Sequence, residues 1–240
     1  MDEARRRFLV RALSLGVLAG GLGWNRMALA ELLGRVPGPL PEGNSIFRLV
    51  GEVNVNGRPA SADTFIGPDA HIHTAPGAEL VAVVGQDAFI LRGNSEIELS
   101  LGDRMRQGLR LLSGAMLNVF GERGDEEQLE VRTPVAAIGI RGTGLYTEAR
   151  TDRSYVCNCY GEVLLSAADD PDEQEHIVSR HHDDPRWVLT EPEDGRRIIP
   201  APFINHTDLE LIVLESLVGR SVPFGAPGRT YPRRRQDYAY

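Results

Sequence analysis

Lysine is absent. All 26 fixed side-chain cations among the 240 residues are arginine, set against 34 carboxylates for a net charge of −8. A nucleic-acid surface needs a basic footprint, which this balance does not supply. Long apolar runs are missing as well, so no segment spans a bilayer comfortably. The chain holds no Gly-x-Ser-x-Gly elbow, phosphate loop, His-Glu-x-x-His pair or nucleotide fingerprint. Its carboxylates gather in acidic loops rather than standing singly among apolar residues, so a glycosidase-like pair is unsupported. A protein that is not an enzyme is expected. Cysteine is almost absent: Cys157 and Cys159, within "YVCNCYGEV", are the whole complement.

The N-terminus reads as a targeting segment. Arg5-Arg6-Arg7-Phe8-Leu9 resembles the twin-arginine export motif. A mildly apolar, glycine-spaced run from Ala12 to Trp24 follows, and Ala28-Leu29-Ala30 offers a small-x-small cleavage site. Residues 1–30 are expected to be a signal peptide cleaved after Ala30, leaving an exported, periplasmic protein without a transmembrane span. Removing a segment of net +3 from a chain of net −8 leaves −11. The exported compartment permits disulfides, which bears on the cysteine pair.

Residues 31–45, with Pro37, Pro39 and Pro41, read as a linker. From Ile46 the texture changes to apolar runs of four to eight residues separated by Gly, Pro, Asn and Asp. Such runs predict an all-β domain of many short strands over 46–168. In "EVNVNG" the alternation places Val53 and Val55 on one face and the asparagines on the other. "DDPDEQE" (169–175) reads as a solvated loop opening a C-terminal region, 169–240. There "HIVSRHH" and "RWVLT" each suggest a strand. Thr207-Asp208-Leu209-Glu210 is a capping box that starts a helix of about three turns, ended by Gly219. Residues 225–240 are expected to be a mobile tail, with Arg233-Arg234-Arg235 solvated.

Several ordered pieces are similar to the FecR domain family, the periplasmic domain of iron-citrate-type signalling regulators. "VGEVNVNG", "IGPDAHIHTAPGAELVAVVG", "LRLLSGAMLNVF" and "CYGEVLL" match in sequence order. "VRTPVAAIGIRGTGLYTE" resembles the family's Thr-Pro-x-Ala-x-x-x-x-Arg-Gly-Thr core. The resemblance covers about residues 46 to 166. It implies a β-solenoid or sandwich and a non-catalytic binding or signalling module. Its regulators carry a cytoplasmic sigma-factor-controlling segment, and only four residues precede the arginines here. A free-standing exported version is therefore expected. The implied partner is another envelope protein or an envelope polymer.

Two sets of residues carry chemistry. Arg141 and Thr143, beside Gly142 and Gly144, are candidate ligand-binding residues, set against a plain role in holding a turn between strands. Cys157 and Cys159 are additions that the FecR pattern does not demand. On a regular strand they share a face at about 6.5–7 Å, the outer edge of disulfide geometry, so a bridge needs a bulge or kink. As soft ligands they suit zinc, copper or a haem iron. Further ligands are sought among the downstream histidines, His181 and His182 foremost. Asp183 is a possible orienting acceptor. His206 is expected at the surface or in a helix staple, and His71 and His73 on an ordinary strand. Three readings stay open: a binding or signalling module, a metal-, haem- or thiol-redox protein, and an envelope protein with a stabilising disulfide.

Overall fold

The computed structural model describes residues 36–101, 106–123 and 128–224; the expected signal peptide and the end of the chain from 225 lie outside the described residues. The apolar runs become β1 (Ile46–Val50), β2 (Val53–Val55), β3 (Arg58–Pro59), β4 (His71–Thr74), β5 (Glu79–Val84), β6 (Asp87–Leu91) and β7 (Glu96–Ser100). Then come β8 (Arg106–Val119), β9 (Gln128–Arg132), β10 (Ala136–Ala149), β11 (Arg153–Ala167), β12 (Asp170–Ser179), β13 (Arg186–Glu193) and β14 (Arg196–Pro200). One helix among the described residues, α1 (Asp208–Leu217), follows them. The protein is thus mostly β, as its sequence predicts. No described helix is long and apolar enough to cross a membrane.

Local chemistry sets the joints. Val53 and Val55 are buried with Asn54 between them half-buried, the alternation expected of a strand with one face inward. Asn56 and Gly57 both take positive φ, 51° and 73°, the twist a two-residue hairpin needs to join β2 to β3. Pro134, which has no ladder donor, lies in the gap between β9 and β10.

All strands belong to one hydrogen-bonded network, ordered β14-β13-β11-β10-β9-β8-β7-β4-β2-β3, with β12 on β11 and β1-β5-β6 branching from β8. The described pairings are antiparallel apart from β8 with β9. β10 and β11, 14 and 15 residues long, organise the fold. β10 pairs with β9 through Ala137–Ile140 and with β8 through Gly144–Ala149. β11 pairs with β13 through Arg153–Val156 and with β12 through Gly161–Ala167.

The central strands are buried on both faces. One face joins Leu80, Phe89, Met116, Leu145, Val156 and Leu165 in the main core. The other joins Val81, Ile90, Leu117, Tyr146, Cys157 and Cys159 to a second core. That second core is closed by Ile204 and by Leu211, Leu214 and Leu217 of α1. The helix starts as its sequence predicts: the Thr207 side chain accepts from the Glu210 amide, and Glu210 reaches back to the Thr207 amide. It is fastened to the sheet by Arg92, which bonds Glu210 at 2.6 Å and Glu79 at 3.0 Å. A Tyr160 hydroxyl to Glu215 carboxylate bond adds a second tie.

The acidic stretch departs from expectation. It is strand β12, not a solvated loop, and the sheet runs on past Ala168 without a break. Its charges find fixed partners: Glu173 accepts the amides of Arg197 and Ile198, each at 2.8 Å. Glu175 bonds Arg186 at 2.6 Å and Arg196 at 2.9 Å. A run of acids need not be loop when alternate carboxylates meet arginines and free amides of a neighbouring strand.

Candidate metal centre

β11 carries Cys157 and Cys159 into the second core, where both are free thiols with no solvent exposure. The strand is not regular there. Between the pairs Leu145↔Asn158 and Gly144↔Tyr160, β10 advances one residue and β11 advances two. Cys159 is therefore the extra residue of a β-bulge, a device that re-aims a side chain. Gly161 completes the distortion with φ 92°. Asn158, between the two cysteines, points the other way and donates to the carbonyls of Gly161 and Ile177 at 2.9 and 3.1 Å.

Two histidines meet these sulfurs from separate segments. The loop after β12 brings His182, whose backbone amide donates to the Cys159 carbonyl at 2.9 Å and whose φ is 55°. The segment leading into α1 brings His206, buried at 3 % exposure rather than at the surface. That segment is held down by Tyr155, whose hydroxyl donates to the Pro202 carbonyl at 2.9 Å. Tyr146 stacks on the His206 ring with centroids 4.4 Å apart.

The donor atoms converge on one point. Cys157 Sγ lies 3.6 Å from His182 Nδ1, Cys159 Sγ 3.4 Å from His206 Nε2, and the two ring nitrogens 3.1 Å apart. All four donors fall within 4.8 Å of one another. A tetrahedral zinc ion with Zn–S of about 2.3 Å and Zn–N of about 2.0–2.1 Å has S···N edges of about 3.5 Å and an N···N edge of about 3.3 Å. The three separations given match those edges to within about 0.2 Å. It is the two-sulfur, two-nitrogen set that suits zinc best. A haem finds no slot here, because the rings of Tyr146 and Phe203 pack directly on His206.

The outer partners set the tautomers. His206 Nδ1 faces the Ile204 carbonyl at 2.7 Å, so it carries the proton and leaves the Nε2 lone pair to the cluster. His182 Nε2 faces Asp208 Oδ1 at 3.1 Å, so it donates there and leaves Nδ1 free for the cluster. With an ion bound, both rings would aim an unprotonated nitrogen inward, with a carboxylate or a carbonyl behind, the usual support of metal-bound histidine.

Charge is polarised even without an ion. Burial pushes the Cys157 thiol up, but the Cys159 hydrogen bond, the His206 charge and the His182 contact outweigh it and hold Cys157 well below the ordinary thiol range. Cys159 is pushed well above that range, by burial first and then by Cys157. Burial pulls His182 down, yet Asp208 and Cys157 raise it to about 9. Burial raises the Asp208 carboxyl, and its bonds to His182 and His181 lower it below its usual value. The site thus favours one thiolate beside one imidazolium, half-prepared for a cation.

The other sequence candidates separate. His181 lies beside the cluster, not in it, with Nε2 2.8 Å from Asp208 Oδ1. Asp183 serves the turn by accepting the Arg180 amide at 2.8 Å, and it orients no described histidine. His71 meets Glu96 at 2.8 Å and His73 is exposed. Thr143 is wholly buried, its hydroxyl bonded to Asn158 Oδ1 at 2.6 Å and to the Tyr160 carbonyl, which makes it a brace across the bulge. Arg141 is exposed on the rim of an open groove of about 1010 Å³ that Gly139, Glu162, Leu164 and His176 also line. His206, one of the downstream histidines but expected at the surface or in a helix staple, joins the centre, and Asp208, read only as part of the capping box, supports it. Their signal was slight: a histidine directly before a helix cap, and a carboxylate in the first turn.

Fold and site together define a mostly-β protein with a closed, two-cysteine, two-histidine donor set beneath its C-terminal helix. No family model matches the chain, and no curated protein does. Two crystal structures of a proposed anti-sigma factor from Parabacteroides distasonis ATCC 8503, at 2.50 and 1.65 Å resolution, are similar to it, each with TM-score 0.46 and 13 % identity over 55 % of this chain. The chain spans 58 % of that protein's length. A likeness this shallow is silent on function.

Proposed function

We propose that the chain is an exported, non-catalytic β module in which one zinc ion, held by Cys157, Cys159, His182 and His206, pins the C-terminal segment to the sheet. The observation that carries this is the convergence of four buried donors from three separate segments within 4.8 Å. Four protein ligands leave no open position for water or substrate, the pattern of structural rather than hydrolytic zinc. Within that frame the FecR-like reading stands as a proposal: a binding or signalling module of the envelope whose partner is a protein or polymer there. The signal-like N-terminus supports export.

Metal analysis of protein purified from the exported fraction tests the reading. One equivalent of zinc is expected, absent from the Cys157→Ser/Cys159→Ser variant. Two thiols that titrate freely in a metal-free protein sink the proposal, and so does a protein with no free thiol and no metal, which is the bridged form. Intact-mass analysis of the same material is expected to show a chain beginning at Glu31. A full-length mass in the exported fraction would remove the cleavage site after Ala30.

A further inference from the structure

We propose that His181 and Asp208 form the port through which the zinc ion enters and leaves the buried centre, with His182 shared between port and centre. The inference rests on the zinc reading above and adds a route to it.

A dication stripped of water without replacement ligands is prohibitively costly in an apolar interior. The ion must therefore pass from ligand to ligand. Most walls of the centre offer it nothing. Tyr146 lies flat on His206, and Phe203 packs against His182 and His206 with centroids 4.6 and 4.5 Å away. Behind the sulfurs is the sheet. At His182, side chains able to bind the ion lead outward and bond the cluster directly. His181 is 14 % exposed and Asp208 22 %, against 4 % for His182 and none for either cysteine.

The geometry makes these steps on one path. His181 Nε2 and His182 Nε2 approach the same oxygen of Asp208, at 2.8 and 3.1 Å. The three donors lie within 4.8 Å of one another, as a metal-ligating group does. Across the His182 ring, Nδ1 is 3.6 Å from Cys157 Sγ. A hydrated ion exchanges waters first for the Asp208 carboxylate and the His181 nitrogen. The two sulfurs then draw it inward, because four protein donors form a closed set where two or three leave water on the ion. Asp208 is then free to accept again from His182 Nε2–H. Release reverses the order. Phe224, stacked on His181 at 4.3 Å, keeps that ring in place at the mouth.

A port alters rates and not equilibria, which separates it from a structural role. Zinc uptake by chelator-stripped protein and zinc release into a chromophoric chelator are measured for wild type and His181→Phe, a change that keeps the stack on Phe224. His181→Gln serves as a second variant should the first fold poorly. The expected result is one zinc equivalent and an unchanged affinity, with both rates lowered by the same factor. His71→Phe, at a histidine that pairs with Glu96 outside both donor clusters, is expected to leave both rates unchanged. Unaltered rates in both His181 variants overturn the port, as does a change in affinity, which means that uptake and release moved by different factors. A second zinc equivalent in wild type, lost with His181, also overturns it by making the trio a site in its own right. Wild-type protein that takes up no zinc defeats the zinc reading itself, and the port with it.

Discussion

Replacing both thiols, Cys157→Ser with Cys159→Ser, is expected to lower the melting temperature of the zinc-loaded protein by about 8–16 °C. An ion that binds only the folded state, at a free concentration about a thousand times its dissociation constant, adds about 4 kcal/mol of stability. For a domain of this size each kcal/mol shifts the transition by about 2–4 °C. The loss should be uneven. The cysteines lie on a strand paired with β10 on either side of the bulge, whereas His206 lies in an irregular segment tied by Tyr155, by Asn205 to Glu148 and, on the zinc reading, by the ion. Limited proteolysis of the variant is therefore expected to cut first around Phe203 and Asn205. A variant that melts within two degrees of zinc-loaded wild type and is cut no faster there would falsify the clamp.

The second large effect is at Gly161. Gly161→Ala is expected to cost about 3 kcal/mol, part from a left-handed backbone that disfavours Cβ and part from overpacking. Its φ is 92°, and an added Cβ would sit 2.5 Å from the Gly142 carbonyl oxygen and 3.0 Å from Thr143 Cβ. The first obstacle is backbone, so it cannot swing aside. The cost should also reach the metal, because Gly161 closes the bulge that re-aims Cys159, and a lower zinc affinity is expected alongside the lower melting point. Gly195 is the control: φ is 78°, yet nothing lies within 4 Å of an added Cβ. Gly195→Ala should cost only the backbone part, about 1–2 kcal/mol. Equal losses in urea denaturation at the two positions would show that the close approach at Gly161 contributes nothing.

These two expectations also show what the sequence made legible. Alternation at Val53 and Val55, the Thr207–Glu210 box and the gap at Pro134 are local codes, and each appears where its residues indicate. The Arg141-Gly142-Thr143 run reads as a turn between strands, yet it lies inside β10 at a break in register, with Gly142 at φ 55°, and its opposite wall was not legible. That wall is Gly161, and the contact depends on β10 and β11 slipping register by unequal steps. Charge misled at 169–175, because composition reports how many acids are present and not whether Glu173 and Glu175 face amides and arginines on β13 and β14. The cysteines announced themselves by rarity and the compartment they were expected to enter. His182 was found by proximity in sequence. His206, among the downstream histidines, reads as a surface or staple residue, since nothing local says that a residue before a helix cap turns inward. It is a ligand candidate only because α1 folds back over the sheet, and that is tertiary information.

The covering of the second core makes the end of the chain indispensable to solubility. A version stopped after Pro200 would retain every described strand and the whole main core, and by strand count would pass for a minimal domain. It would also leave Val81, Ile90, Leu117, Tyr146 and the two sulfurs facing water as one continuous apolar patch, the kind of surface by which proteins stick to one another. Expression trials that trim this protein to its β region should therefore yield inclusion bodies, whereas trimming only beyond Phe224 should not.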